Sequence, residues 1–290
     1  MQSLRIIAGA NARKHIRQHG LSPFDIAAIP AAAGGPKGLI LQGLDHFLFS
    51  QWFGPLHLVE RERRGVAPLQ LIGASIGAWR MAAAASSEPS AALNRLADQY
   101  CEAQRYPKGV DRHTISQVCE SMVQALVADV GESMSKPQGK ELLVWVNRGL
   151  SPLHHAQLEA ARKRGFASAV LANSVSRNRL ASYFERWVFH SPGANVEWLG
   201  QSFDKIPTRL EHLHPLNIRD CLLASGSIPF VLNPVKRITK ALEDSAHHVD
   251  YHQGPFWDGG LTDYHLALPY HRLNGIVLYP HFSNTVTAGW

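Results

Sequence analysis

Cysteine is scarce in this 290-residue sequence: Cys101, Cys119 and Cys221 stand far apart, with no Cys-x-x-Cys pair. That excludes a disulfide framework and a cysteine-rich zinc site, and a reducing, cytoplasmic setting is expected. Long apolar runs are missing too; none approaches the length of a bilayer-spanning helix. Arg13, Lys14 and Arg17 follow the short apolar run LRIIAGA, the reverse of the order in a secretory signal peptide. Zinc-finger spacing and mixed aromatic-basic stretches of RNA-binding type are absent, which sets nucleic acid aside as a partner. Charged residues make up 18% against 45% hydrophobic ones, a globular rather than a disordered balance. The excess of 29 Lys and Arg over 23 Asp and Glu gives a formal charge of +6. Such a balance suits an anionic membrane surface, although solubilising charge is the simpler reading. No internal repeat, low-complexity tract or linker divides the chain, so residues 1–290 are expected to form one domain. The sequence stops soon after a strand without a closing helix, which leads us to expect that the natural chain continues.

What is present centres on Pro68 to Ala84, PLQLIGASIGAWRMAAA. Leu69, Leu71 and Ile72 form a short apolar run, Gly73-Ala74-Ser75-Ile76-Gly77 follows, and good helix formers come next. Strand, G-x-S-x-G and helix together predict a nucleophile elbow, a turn that holds the Ser75 hydroxyl out at a strand end. The helix starting at Ile76 aims unsatisfied N–H groups at any anion formed beside Ser75.

Along the rest of the chain, FDIAAI (24–29) reads as a buried strand leading into a glycine-rich loop and then a helix from Leu39. Residues 55–67 carry ERERR and read as a solvated loop. A helical pattern covers 89–130, with breaks near 107–109 and at Gly131. ELLVWV (141–146) reads as a strand, and Ser151-Pro152 opens a helix that Gly165 is expected to end. ASAVLANS is ambiguous, WVFH suggests a short strand, and 218–224 a helix. Residues 236–256 are polar and histidine-rich, a loop by this reading, and GIVLY (275–279) is a further strand. Strands alternating with helices predict an α/β sandwich with a largely parallel sheet.

A serine hydroxyl needs a base, and the tetrahedral oxyanion formed by its attack needs donors. Gly34-Gly35-Pro36-Lys37-Gly38 offers successive glycine N–H groups that can approach an anion closely, with Lys37 beside them for a phosphate head group. Pro36 has no N–H and fits the first turn of the helix that follows. The loop is not a P-loop, because Leu39 follows Gly38. Asp258-Gly259-Gly260 supplies a carboxylate on a flexible turn.

Taken in order, GGPKG, GASIG, the block Ala224-Ser225-Gly226-Ser227-Ile228-Pro229-Phe230 and DGG resemble the patatin-like phospholipase family over roughly residues 24–280. Ala32 and Ala33 stand where that family usually has Asp and its first Gly. The resemblance implies a three-layer α/β/α sandwich and a Ser75–Asp258 dyad without a catalytic histidine. It also implies an oxyanion hole from the N–H groups of Gly34, Gly35 and Ile76, a lipid ester as substrate, and neither metal nor cofactor. Other readings remain open at this point. His265, His271 and His281 all follow Asp258, so a Ser-Asp-His triad of α/β-hydrolase type is permitted. The same acyl-enzyme would serve an acyltransferase, and a non-catalytic lipid-binding module is a third possibility. His247, His248 and His252 form a weak candidate metal cluster, more simply a polar loop.

Overall fold

The computed structural model describes residues 5–135, 139–151, 153, 159–240 and 250–287. Eight strands are present among these residues: β1 (Ile26–Ala31), β2 (Leu69–Ala74), β3 (Lys140–Gly149), β4 (Phe184–His190), β5 (Thr208–His212), β6 (Val235–Thr239), β7 (Tyr251–Asp258) and β8 (Ile276–Val277). The helices are α1 (Ala10–His19), α2 (Gln42–Phe47), α3 (Pro55–Arg63), α4 (Ile76–Ala85), α5 (Pro89–Ala103), α6 (Arg112–Ser135), α7 (Glu159–Val175), α8 (Glu197–Gly200), α9 (Ile218–Ser225) and α10 (Gly260–Asp263). One sheet runs in the order β5-β4-β3-β2-β1-β8, with β7 on β3 and β6 on β7. Pairings β1–β2, β1–β8, β2–β3 and β4–β5 are parallel; β3–β4, β3–β7 and β6–β7 are antiparallel. The result is an α/β fold with a mostly parallel central sheet flanked by helices, as the alternation of strand and helix patterns predicts.

Both faces of the central strands are apolar because both are covered. On one face, Leu71, Leu142, Val144 and Val146 pack into the same core as α4 and the buried residues of α5, α6 and α9. On the other, Ala28, Ile72, Ala74, Leu143 and Trp145 meet Trp198 and Leu199 of α8 and the segment carrying Leu266 and Leu268. Nine of the ten residues of α4 are buried, Arg80 among them with Asp45 as its acidic partner. Lys140 Nζ donates to the carbonyls of Ala84 (2.8 Å) and Ser86 (3.1 Å), placing a cation at the C-terminus of α4, where its dipole is negative.

Several local expectations are corrected. Residues 55–63 are helix α3, not a loop: Gly54 precedes Pro55 at the first helical position, and only part of the charge run is solvated. Glu60 pairs with Arg63 and Arg64. Arg61 turns inward and donates to the carbonyls of Ala67, Pro23 and Ile26, an exchange of water for backbone acceptors that lets a cation be buried. Helix α6 continues through Gly131, and α7 continues through Gly165 to Val175. In α7, the burial of Gly165, Phe166 and Ala169 outweighs the modest helix penalty of glycine. The start expected at Ser151-Pro152 lies partly outside the described residues. The polar 236–256 stretch contains most of β6 and most of β7, which pair antiparallel. His252 owes its order to neighbours far away in sequence, with its ring against Trp187 at 4.8 Å between centroids and Nε2 3.4 Å from Glu211. The strand expected over 275–279 is confined to Ile276–Val277.

Candidate active site

The site follows from how β3 is shared. One edge of β3 is covered by β4, with Leu143 opposite His190 through Gly149 opposite Phe184. Its other edge changes partner midway. Strand β2 runs parallel to it as far as Ala74, opposite Trp145. From Val146 onward β7 takes over in the antiparallel sense, with Asp258 opposite Val146. The C-terminal ends of β2 and β7 therefore meet tip to tip along one edge. Ser75 is the residue after the last of β2, and Asp258 is the last of β7.

At that junction Ser75 Oγ donates to Asp258 Oδ2 at 2.6 Å. Ser75 adopts φ 56°, ψ −131°, a region sparsely populated by residues with a Cβ and held only where surroundings enforce it. The enforcement is visible. Its N–H donates to Ser225 Oγ (2.9 Å), whose hydroxyl donates to the Trp145 carbonyl (2.7 Å). A Cβ on Gly77 would stand 2.0 Å from the Ala31 carbonyl oxygen, so the elbow can press on the end of β1 only with glycine there.

Asp258 is held with comparable care. Its backbone N–H donates to Ser227 O and that of Gly259 to Ser225 O. Asn147 Nδ2 donates to the carbonyls of Asp258 (2.8 Å) and Gly259 (3.1 Å). The carboxylate accepts from Ser75 through Oδ2 and from the Gly260 N–H, at 2.6 Å, through Oδ1. Burial without a neighbouring cation pushes its pKa up from 3.8 to about 7, against the smaller lowering by those two donors. A carboxyl group tuned to that range accepts and returns a proton at neutral pH.

The glycine loop lies against the same junction. Gly34 and Gly35 have φ of 152° and 55°, conformations that favour glycine. A Cβ on Gly260 would stand 2.6 Å from that of Ala33, and one on Gly38 would stand 2.9 Å from Ile76 Cγ2. The loop is thus flanked by the aspartate turn on one side and the elbow helix on the other. It is tied down by Ala33 N–H donating to Tyr264 O (2.9 Å), and by a buried pair below it. There Arg80 of α4 donates from Nε and Nη2 to both oxygens of Asp45 in α2, at 2.8 and 2.7 Å. As first residue of α4, Ile76 has no intrahelical acceptor for its N–H. Lys37 is exposed at the rim.

Two of the three histidines that follow Asp258 are engaged elsewhere, and the third, His271, is exposed. His265 Nδ1 lies 3.0 Å from the Thr287 carbonyl, and His281 Nδ1 lies 2.9 Å from that of Ser283. Among the described residues, no histidine bonds to Ser75 or Asp258. His247 and His248 fall outside the described residues. Among the described ones, no group of three or more potential metal ligands occurs, and no helix is long and apolar enough to cross a membrane. All three cysteines are free thiols. A hollow of about 380 Å³ lined by Asn195, Trp198, Gln201 and Arg272 lies at the opposite end of β2, where Gln70 is tied to the Asn195 carbonyl, away from Ser75.

Sequence reasoning missed Asn147, the role of Ser225, and Asp263. Asp263 is 1% exposed and is gripped by Arg186 (2.6 Å) and Arg177 (2.8 Å). A lone acid inside the apolar stretch LTDYHLALPY was its only local signal, since a buried carboxylate requires a partner. No family model and no curated protein matches this chain.

Proposed function

We propose that this protein is a serine hydrolase of lipid acyl esters, working through a Ser75–Asp258 dyad and an acyl-enzyme. The observation that carries the reading is the 2.6 Å contact from the Ser75 hydroxyl, held at positive φ, to a carboxylate with no cation beside it. Ser75 Oγ attacks the ester carbonyl carbon while Asp258 takes its proton. The carbonyl π electrons pass to oxygen, where the N–H groups of Gly34, Gly35 and Ile76 are the candidate donors. Collapse breaks the bond to the alkoxy oxygen, which leaves with the proton from Asp258. Water then gives a proton to Asp258, attacks the acyl carbon, and Ser75 departs with that proton.

A lipid substrate is supported by the rim that follows Ser227. Ile228, Phe230 and Val231 are 40%, 47% and 43% exposed, apolar side chains that begin one residue after Ser227, whose carbonyl accepts the Asp258 N–H. With the net charge of +6 and the exposed Lys37, this favours action at an anionic membrane surface. The test is labelling by a fluorophosphonate, mapped by mass spectrometry. The adduct is expected on Ser75 and lost in Ser75→Ala, with ester hydrolysis lost alongside. His265→Gln, His271→Gln and His281→Gln, made singly, are expected to keep most activity. A folded histidine variant as inactive as Ser75→Ala would replace the dyad by a triad.

A further inference from the structure

The glycine loop and the aspartate turn are spanned by one aromatic ring. Tyr264 follows α10. Its carbonyl accepts the Ala33 N–H at 2.9 Å. A Cβ placed on Gly260 would lie 3.6 Å from its Cδ2, and one placed on Gly34 would lie 3.2 Å from its hydroxyl oxygen. The ring edge therefore rests beside the glycine whose N–H holds Asp258, and its hydroxyl lies beside the first glycine of the loop. Among the described residues that hydroxyl has no hydrogen-bond partner in the protein, and the side chain is half-buried. The nearer environment fixes its protonation state: burial first, then the charge of Asp258, raises its pKa above the ordinary tyrosine value, so it remains an O–H donor across the neutral range.

Resting on the ester-hydrolase reading, we infer that Tyr264 is a further catalytic residue, donating a hydrogen bond to the oxyanion formed when Ser75 attacks. The phenol keeps its proton throughout. The proton from Ser75 travels through Asp258 to the leaving alcohol, and Tyr264 stabilises only the oxygen that gains the carbonyl electrons. Peptide N–H groups of the loop point from fixed positions, whereas the phenol turns about its C–O bond to follow the oxygen as it moves. A histidine-free site gains from such a donor, because no imidazolium forms nearby to share the developing charge.

The experiment compares Tyr264→Phe with the parent protein on p-nitrophenyl butyrate and on an aryl trifluoromethyl ketone, which forms a tetrahedral oxyanion with an activated serine. Phe keeps the ring against Gly260 and removes only the donor. kcat is expected to fall about 10²-fold, the typical effect of one oxyanion donor. KM is expected to stay within about twofold, because the bond forms only in the transition state. Affinity for the ketone falls by the same factor as kcat/KM. Replacement of Tyr264 by difluorotyrosine retains shape and donor but ionises earlier, so the alkaline limb of kcat moves to lower pH. An unchanged kcat in folded Tyr264→Phe, an unchanged ketone affinity beside a lowered kcat, or an unmoved alkaline limb in the difluorotyrosine protein overturns the assignment. Full hydrolysis by Ser75→Ala would instead remove the hydrolase reading itself, and the Tyr264 role with it.

Discussion

Asp258 and Asp263 lie on one turn, both buried, and the chain treats them in opposite ways. Asp263 faces two guanidiniums, Arg186 and Arg177. Asp258 faces one hydroxyl and one peptide N–H. A buried charge that is fully paired is fixed, and its proton affinity is of no use to chemistry. A buried carboxyl left without a cation carries a desolvation penalty, and that penalty is what moves its proton affinity toward neutrality. The two are mechanically linked. Thr262 Oγ1 donates to Asn147 Oδ1 at 2.8 Å, and Asn147 Nδ2 holds the carbonyls of Asp258 and Gly259. Asp263 and its neighbour Thr262 thus help fix the turn that carries Asp258.

The comparison breaks most sharply at Asp258. Asp258→Asn keeps size but not proton acceptance, and kcat for a short-chain ester is expected to fall on the order of 10⁴-fold, close to Ser75→Ala, since members of one unit are not additive. A fall of less than tenfold in a folded variant would mean that the proton goes elsewhere.

Asp263→Ala is the complementary change. It leaves Arg186, itself fully buried, with Asp204 as its acidic partner among the described residues, and removal of one member of a buried ion pair typically costs about 3–5 kcal/mol. The expected result in urea denaturation is a lower midpoint, with kcat of the folded fraction changed far less than by Asp258→Asn. Equal loss of kcat in both variants would erase the distinction between clamp and base.

A subtler separation concerns pH. Asp258 has its pKa raised in the folded protein, from 3.8 to about 7. Between those values the native state binds more protons than the unfolded one, so this group favours folding below pH 4 and loses that contribution as pH rises through 7. Asp258→Asn does not titrate. Its stability relative to the parent is therefore expected to grow from pH 4 to pH 7 and level off above, by no more than about 4 kcal/mol in total. Denaturation curves of the two proteins at stepped pH values measure this. A difference independent of pH would show that the carboxyl is not desolvated.

The elbow was readable in sequence because the pattern that marks it is local: an apolar strand, a G-x-S-x-G turn and an alanine-rich helix within one stretch. Asp258 was readable through its Gly-Gly turn only in company with the other motifs. The misreadings share a physical cause, which is that order came from distant partners. Arg61 looks solvated in ERERR, and its acceptors at Pro23 and Ile26 lie in another segment. The 236–256 stretch has no apolar alternation strong enough to mark strands, and β3, far upstream, supplies the ladder for β7. Gly165 ends a helix by local rules, while α7 crosses it to bury Phe166 against Phe184 and Trp257. Asn147 reads as an ordinary polar residue at a strand end, and its role depends on a turn formed far downstream.

The change of partner along β3 also bears on the order in which the site can assemble as the chain is made. Ser75 and Asp258 are separated by 183 positions, and β2 and β7 are aligned by pairing with successive parts of the same edge of β3. The N-terminal half of the edge is complete once β3 has emerged, while Ser225, which holds the Ser75 N–H, and Asp258 come later in the chain. Closing so long a loop is entropically unfavourable until the sheet is there to receive it. On the hydrolase reading proposed above, a nascent chain that ends before β7 would hold Ser75 without Asp258, and activity would appear only once β7 docks and brings its carboxyl to the hydroxyl.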